Sequence, residues 1–281
     1  MIPAAFDYHR PASLAEAVSL LETHGDEARV LAGGHSLIPM MKVRMADLSH
    51  LVDMADIAEL KGIEVGADTL RIGAMTTQNA LIESEALAAV CPLIREAAFQ
   101  IADPQVRYMG TIGGNIAGGD PANDMPGLMQ CLDARFELSG PSGTRLVPAR
   151  GFYESAYVTA RAEDEILVRV HIPVPAKGHG YAYEKQKRKI GDYATAAAAV
   201  LIAPGSASIA MTNLADTPIH VPEAGAALAA GDTAGAIEAA LAAIDPVEDI
   251  RGPRAFKLHL ARQMLARAIA RAEARAETVP A

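Results

Sequence analysis

The chain has no tryptophan among its 281 residues, and aromatic side chains of all kinds make up only 4% of it. Hydrophobic residues reach 51%, with alanine prominent, so the core is expected to be aliphatic, with alanine letting helices approach closely. Cysteine is scarcer still. Cys91 and Cys131 are the only two, too few for an iron–sulfur cluster held by four thiolates or for a disulfide framework. They read as buried structural thiols in a reducing compartment. No long basic block occurs and the formal net charge is -9, which speaks against nucleic acid, since neutralising phosphates takes a positive face. The most apolar run, 196–203, is far shorter than the roughly 20 residues that span a bilayer. The opening Met1-Ile-Pro-Ala-Ala-Phe-Asp also lacks the basic start and apolar stretch of a signal peptide. The expectation is a soluble, cytoplasmic protein with small-molecule or protein partners.

What is present suggests three α+β units. Residues 1–60 read as a compact α/β unit: Ser13 and Glu16 have capping-box spacing ahead of Leu14, Val18 and Leu21 on one helical face. Arg29-Val-Leu-Ala then reads as a short strand, 36–45 as a short helix and His50-Leu-Val-Asp as a second strand. From 61 to 177 a hairpin (63–65 and 70–72 about a Gly66-Ala-Asp turn) precedes helical patterns around 76–83, 93–101 and 124–132, with strands again at 134–138, 145–147 and 166–172. After a proline-rich linker, 178–281 reads as a three-stranded antiparallel meander over 181–189, 196–202 and 206–213. Helices follow near 222–229, 233–243 and 253–275.

Two glycine-rich turns carry the chemistry. Ala32-Gly33-Gly34-His35-Ser36 follows a strand and precedes a helical segment; Gly110-Thr111-Ile112-Gly113-Gly114-Asn115 stands far away in sequence. Glycine allows positive φ and lets the backbone approach a ligand with no Cβ in the way. Successive N–H groups can then converge on phosphate oxygens, and Ser36, Thr111 and Asn115 add short polar side chains. Two such turns suit a pyrophosphate held from two sides; each alone is equally at home as a tight structural turn. Neither offers the G-x-G-x-x-G of nicotinamide-binding folds, and no P-loop occurs. Residue chemistry by itself stops at a dinucleotide or another phosphate ligand. No metal motif is evident, and the histidines other than His35 are scattered.

The motifs together resemble a known family. Ala32-Gly-Gly-His-Ser-Leu-Ile-Pro39 and Thr111-Ile-Gly-Gly-Asn115 are similar to the paired FAD loops of the flavin subunits of molybdenum hydroxylases, the xanthine dehydrogenase family. That family is a branch of the vanillyl-alcohol-oxidase-type FAD fold. Phe6-Asp-Tyr-His-Arg-Pro11, Ile101-Ala-Asp-Pro-Gln105, Gly119-Asp-Pro-Ala-Asn-Asp-Met-Pro126, Tyr181-Ala-Tyr-Glu-Lys185 and Gly191-Asp-Tyr-Ala194 extend the likeness over nearly the whole chain. They resemble in particular the medium subunits of aerobic carbon monoxide dehydrogenases, and His35 fits that branch. The likeness is weakest over 203–255.

The resemblance implies one noncovalent FAD between the first two units, with the third closing over it. Residues 32–36 and 110–115 would wrap the pyrophosphate, Asp124 would meet ribityl or ribose hydroxyls, and Ile101 would line the cleft. Lys185 and Tyr193 would reach the flavin from the third unit, Tyr193 stacking near the ring. Against this, Asp124 could simply cap the helix it begins. Lys185, Lys187 and Lys189 could form an ordinary solvated strand face, and Tyr193 could be a core residue. The family's electron route starts at a molybdenum cofactor in a large subunit. It passes through [2Fe–2S] clusters in a small subunit to FAD, then to an external acceptor such as a quinone. The implied assembly is a dimer of heterotrimers, peripheral at the inner face of the membrane. Flavin subunits of purine, nicotine-like or aldehyde hydroxylases are the alternatives on the same scaffold, and a phosphate-ligand binding module without redox chemistry is the alternative of another class.

Overall fold

The computed structural model describes residues 2–277. The first segment holds β1 (Asp7–His9), α1 (Leu14–His24), β2 (Ala28–Leu31), α2 (Leu37–Lys42) and β3 (His50–Asp53). The strands form a sheet in the order β1-β3-β2, with both pairings parallel. Parallel neighbours need crossover connections, and α1 and α2 lie within them. Helix α1 starts where Ser13 Oγ accepts the N–H of Glu16 at 3.2 Å, and it buries Ala17, Val18 and Leu21. The Glu16 carboxylate reaches back to the N–H of Ala12 at 2.8 Å, one residue beyond the cap. β1 had no signal in the sequence pattern: three residues are too few to establish an alternation.

The middle segment begins with the hairpin β4 (Ile63–Val65) and β5 (Thr69–Gly73). Six short helices follow: α3 (Gln78–Glu83), α4 (Glu85–Val90), α5 (Pro92–Gln100), α6 (Pro104–Met109), α7 (Ile112–Ala117) and α8 (Asp124–Cys131). The chain then returns through β6 (Arg135–Gly140), β7 (Gly143–Pro148), the small pair β8 (Tyr153–Ser155) and β9 (Val158–Thr159), and β10 (Ile166–Pro173). β10 is central in the antiparallel order β4-β5-β10-β6-β7. The second glycine turn is thus the start of helix α7, with Gly113 and Gly114 inside it.

The last segment contains β11 (Gly180–Gln186), β12 (Ala196–Ala203), β13 (Ser206–Thr212), β14 (Ile219–His220), α9 (Pro222–Ala229), α10 (Thr233–Ala243) and α11 (Arg254–Glu277). The meander expected from the sequence is joined by a fourth, two-residue strand, β14. β11 ends at Gln186, short of the expected 189, because residues 187–195 leave the sheet and re-enter with Gln186 opposite Ala196. The alanines of β12 explain the composition. Ala197 and Ala199 face the core shared with the middle segment, while Ala196, Ala198 and Val200 face α11 and its neighbours. A strand buried on both faces with the two-residue period of a pleat needs small side chains to admit helices from both sides. Glu96 of α5 locks the seam. It accepts from the N–H of Tyr183 at 2.7 Å and pairs with Arg275 at 2.7 Å and Arg271 at 3.3 Å.

Both cysteines are buried as free thiols, and burial pushes each up to about 12. Among the described residues no helix is long and apolar enough to cross a membrane.

Candidate functional site: two glycine loops closed by the third sheet

The first loop leaves β2 and runs into α2. Gly33 and Gly34 take φ values of 87° and 75°, a region that costs other L-residues roughly 1–2 kcal/mol. Among the described residues, the N–H groups of Gly33, Gly34, His35 and Ser36 donate to no acceptor, while His35 and Ser36 are exposed. Ser36 does not use its hydroxyl to cap α2; that hydroxyl meets the phenol of Tyr193.

Apart from the Thr111 N–H, the second loop has its donors engaged among the described residues. Gly110 donates to Val106 O at 2.7 Å, Ile112 to Thr76 O at 2.9 Å, Gly113 to Ala74 O at 2.8 Å and Asn115 to Thr111 O at 3.1 Å. Thr111 Oγ1 accepts the Gly114 N–H at 3.1 Å and donates to Ala32 O at 3.3 Å. That second bond ties the two loops together.

The glycines fit the loops to one another. A Cβ on Gly33 would collide with the carbonyl of Met109, and one on Gly114 would lie 2.8 Å from Ala32 O. A Cβ on Gly113 would lie 2.6 Å from the Ala74 Cβ and 2.7 Å from its carbonyl oxygen. Ile112 is fully buried in the core, so it and Gly113 support the site from behind.

Asn115 links the second loop to α8: its side-chain oxygen accepts the N–H of Met125 at 3.1 Å, and its carbonyl accepts from Asn123 Nδ2 at 2.8 Å. Asp124 opens α8, yet its carboxylate does not cap the helix. It accepts from Tyr183 Oη at 2.6 Å and from Lys185 Nζ at 2.8 Å, and Lys185 also donates to Gln100 O at 3.3 Å. The Lys185 and Asp124 side chains are only 1% and 5% exposed. Lys185 is therefore not part of a solvated face; its charge is neutralised inside the seam between α8 and β11. Burial, and next the charge of Asp124, push the Tyr183 phenol well above its ordinary range. Lys187 lies beyond the strand and also donates to Gln100 O at 3.3 Å; burial, then Lys185, lowers its pKa. Ile101 packs its side chain into the main core while its carbonyl accepts from Arg107 at 2.9 Å.

Tyr193 sits in the segment that leaves the third sheet. It is 40% exposed, which sets aside a simple core role. Burial of the rest, then the charge of Asp120, raises its pKa. The fold thus gathers residues 32–36, 110–115 and Tyr193, with the Asp124–Lys185 pair attached through Asn115 and Asn123. Gln100 and Glu96 had no place in the sequence reading, and Tyr183 and Asp120 stood there only within motifs, with no role of their own. The Tyr181, Tyr183, Lys185 alternation was the one signal that could have singled out Tyr183.

An FAD pyrophosphate brings charged oxygens that need close donors. The first loop meets that demand with four N–H groups lacking an acceptor among the described residues, beside a backbone cradle that a Cβ at Gly33 or Gly114 would fill. The arrangement suits a dinucleotide-binding protein.

The comparisons with known proteins agree. The family model described as FAD binding domain in molybdopterin dehydrogenase matches residues 4–175, and that described as CO dehydrogenase flavoprotein C-terminal domain matches residues 181–272. The carbon monoxide dehydrogenase medium chain of Afipia carboxidovorans is 57% identical, the match covering 99% of this chain and 100% of that one. The medium chain of Hydrogenophaga pseudoflava is 47% identical over 98% and 99% of the two chains. A solved structure of reconstituted CO dehydrogenase from Oligotropha carboxidovorans superposes with a TM-score of 0.94 at 57% identity, covering 98% of this chain and all of that one. The chain belongs to the family of FAD-binding subunits of molybdopterin dehydrogenases, with the C-terminal domain of the CO dehydrogenase flavoproteins.

Proposed function

We propose that the chain is the medium, FAD-binding subunit of an aerobic carbon monoxide dehydrogenase, and that it passes electrons from a partner's [2Fe–2S] clusters to an external acceptor. The observation that supports this most is the two-loop cradle, with its four acceptor-free N–H groups, in a chain matching a carbon monoxide dehydrogenase medium chain from end to end. Bound FAD supplies the redox chemistry, which no side chain here can replace. The chain's own residues bind, orient and shield it.

In this reading Gly33, Gly34, His35 and Ser36 direct their N–H groups at the pyrophosphate from one side. Gly110, Thr111, Gly114 and Asn115 meet it from the other, while Ala32, Ile112 and Gly113 hold the loops in register. Ile101 and Asp124 bound the cleft towards the ribityl and ribose hydroxyls. Lys185, paired with Asp124 at 2.8 Å, backs the flavin side of the cleft from the third sheet, and Tyr193 stacks near the ring. The partners are a large molybdenum-cofactor subunit and a small [2Fe–2S] subunit, in a dimer of heterotrimers. The acceptor is a quinone, which suits a cytoplasmic complex peripheral at the inner face of the membrane.

The purified full-length chain, denatured to release any ligand, should yield FAD at about one per chain, with none left covalently attached. A colourless preparation that takes up no added FAD would instead leave a phosphate-ligand module without redox chemistry.

A further inference from the structure

The fold gathers three of the scattered histidines. His9 ends β1 and His50 begins β3, two parallel strands in direct register, while His24 is the last residue of α1. His9 Nε2 lies 3.1 Å from His50 Nδ1. The His24 and His50 rings stack with centroids 3.7 Å apart, and those of His9 and His24 at 5.2 Å. One ring nitrogen from each residue can be chosen so that all three lie within 4.8 Å of one another, and all three residues are half-buried. Their positions in the sequence form no metal motif, so only the β1–β3 pairing and the end of α1 bring them together.

Neutral imidazole is the form whose nitrogen lone pair binds zinc-class metals. Nitrogen ligands at about 2.0–2.1 Å from a tetrahedral ion stand roughly 3.4 Å apart, so the stacked His24 and His50 rings, whose lone pairs lie in near-parallel planes, must turn out of the stack to place three nitrogens on one ion. Negative charge is also at hand: Asp7 Oδ2 lies 3.8 Å from His50 Nδ1, and Asp7 and Glu27 both act on His24.

We propose that His9, His24 and His50 form a binding site for a divalent transition metal of the zinc class, fastening β1 and the end of α1 to β3. β1 is a three-residue edge strand whose sheet partner is β3 alone, so such a clasp acts where the first sheet is thinnest. None of the three residues belongs to loops 32–36 or 110–115, and the site is independent of flavin binding.

The test uses the full-length chain stripped with a chelator and titrated with zinc chloride alone in a calorimeter, with thermal melting in parallel. One zinc per chain should bind and raise the melting temperature. His24→Gln and His9→Gln should each weaken binding on the order of tenfold or more, no less than the loss of a ligand's supporting partner costs elsewhere. FAD content should stay unchanged in both. Absence of zinc uptake, or uptake of equal strength in both variants with native circular dichroism, overturns the proposal.

Discussion

Two glycine pairs, Gly33-Gly34 and Gly113-Gly114, look alike in the sequence and do different work. The first pair adopts positive φ and heads a row of four N–H groups with no acceptor among the described residues. The second lies in a short helix whose N–H groups already serve Ala74, Thr76 and Thr111. One loop offers donors. The other fixes where they are, through Thr111 on Ala32 and the close passage of Gly114 past the same carbonyl. A glycine pair is therefore evidence of a tight backbone approach, and only its hydrogen-bond partners tell whether a ligand or the protein itself is approached.

The largest effects should come from valine at the two pairs. In Gly34→Val a Cβ would meet only the side chains of Ile38 and Leu31, at 3.1 and 3.2 Å, but at a φ of 75°. The loop should distort locally: FAD retention should be abolished while the melting temperature of the ligand-free chain changes little. Gly114→Val presses on the backbone oxygen of Ala32 at 2.8 Å, which cannot swing aside. It should abolish FAD retention and lower the melting temperature as well. Stoichiometric FAD in both purified variants would break the pyrophosphate assignment.

Next in size is the seam beneath the loops. Removing one partner of a buried ion pair commonly costs about 3–5 kcal/mol, so Asp124→Ala should destabilise the chain by that order in denaturant unfolding. Asp124→Leu combined with Lys185→Met should cost clearly less, because no lone charge is left buried. If the single and double variants were equally unstable, the pair would be irrelevant to the seam.

Thr111→Val tests the link between the loops directly. It removes the cap of α7 and the bond to Ala32, worth about 1–2 kcal/mol together, and FAD affinity should fall with stability. Affinity unchanged at reduced stability would separate the two loops. The smallest effect is expected at the lid. Tyr193→Ala should keep FAD bound, at a loss of about 1 kcal/mol, while shifting its absorbance and reoxidation rate. Spectra and turnover identical to the parent would remove Tyr193 from the flavin.

Much of this was legible in the sequence. Ser13 with Glu16 marked the start of α1, the 63–72 hairpin and the alanine strand stood out by pattern, and both loops were visible as glycine next to hydroxyl residues. The division of labour between the loops was not, because it depends on Ala74 and Thr76, distant residues whose carbonyls take the second loop's donors. Lys185 looked like one of three similar lysines; only the position of Asp124 across the seam distinguishes it. The strand ends at Gln186 because the chain then turns through the Arg188–Asp192 pair at 2.9 Å, with Asp192 also accepting the Tyr193 N–H at 2.9 Å. Two-residue strands such as β14 carry no periodic signal at all, and the histidine cluster exists only through tertiary contact.

The central claim is that this chain houses the flavin and leaves substrate oxidation to its partners. It is tested most directly by exposing the FAD-loaded chain to carbon monoxide without oxygen and following the flavin absorbance. The chain alone should stay oxidised, since two buried thiols cannot build even one [2Fe–2S] centre. The chain assembled with a molybdenum-cofactor subunit and an iron–sulfur subunit should bleach. Bleaching of the isolated chain by carbon monoxide, or an assembled complex that stays oxidised, would contradict the account.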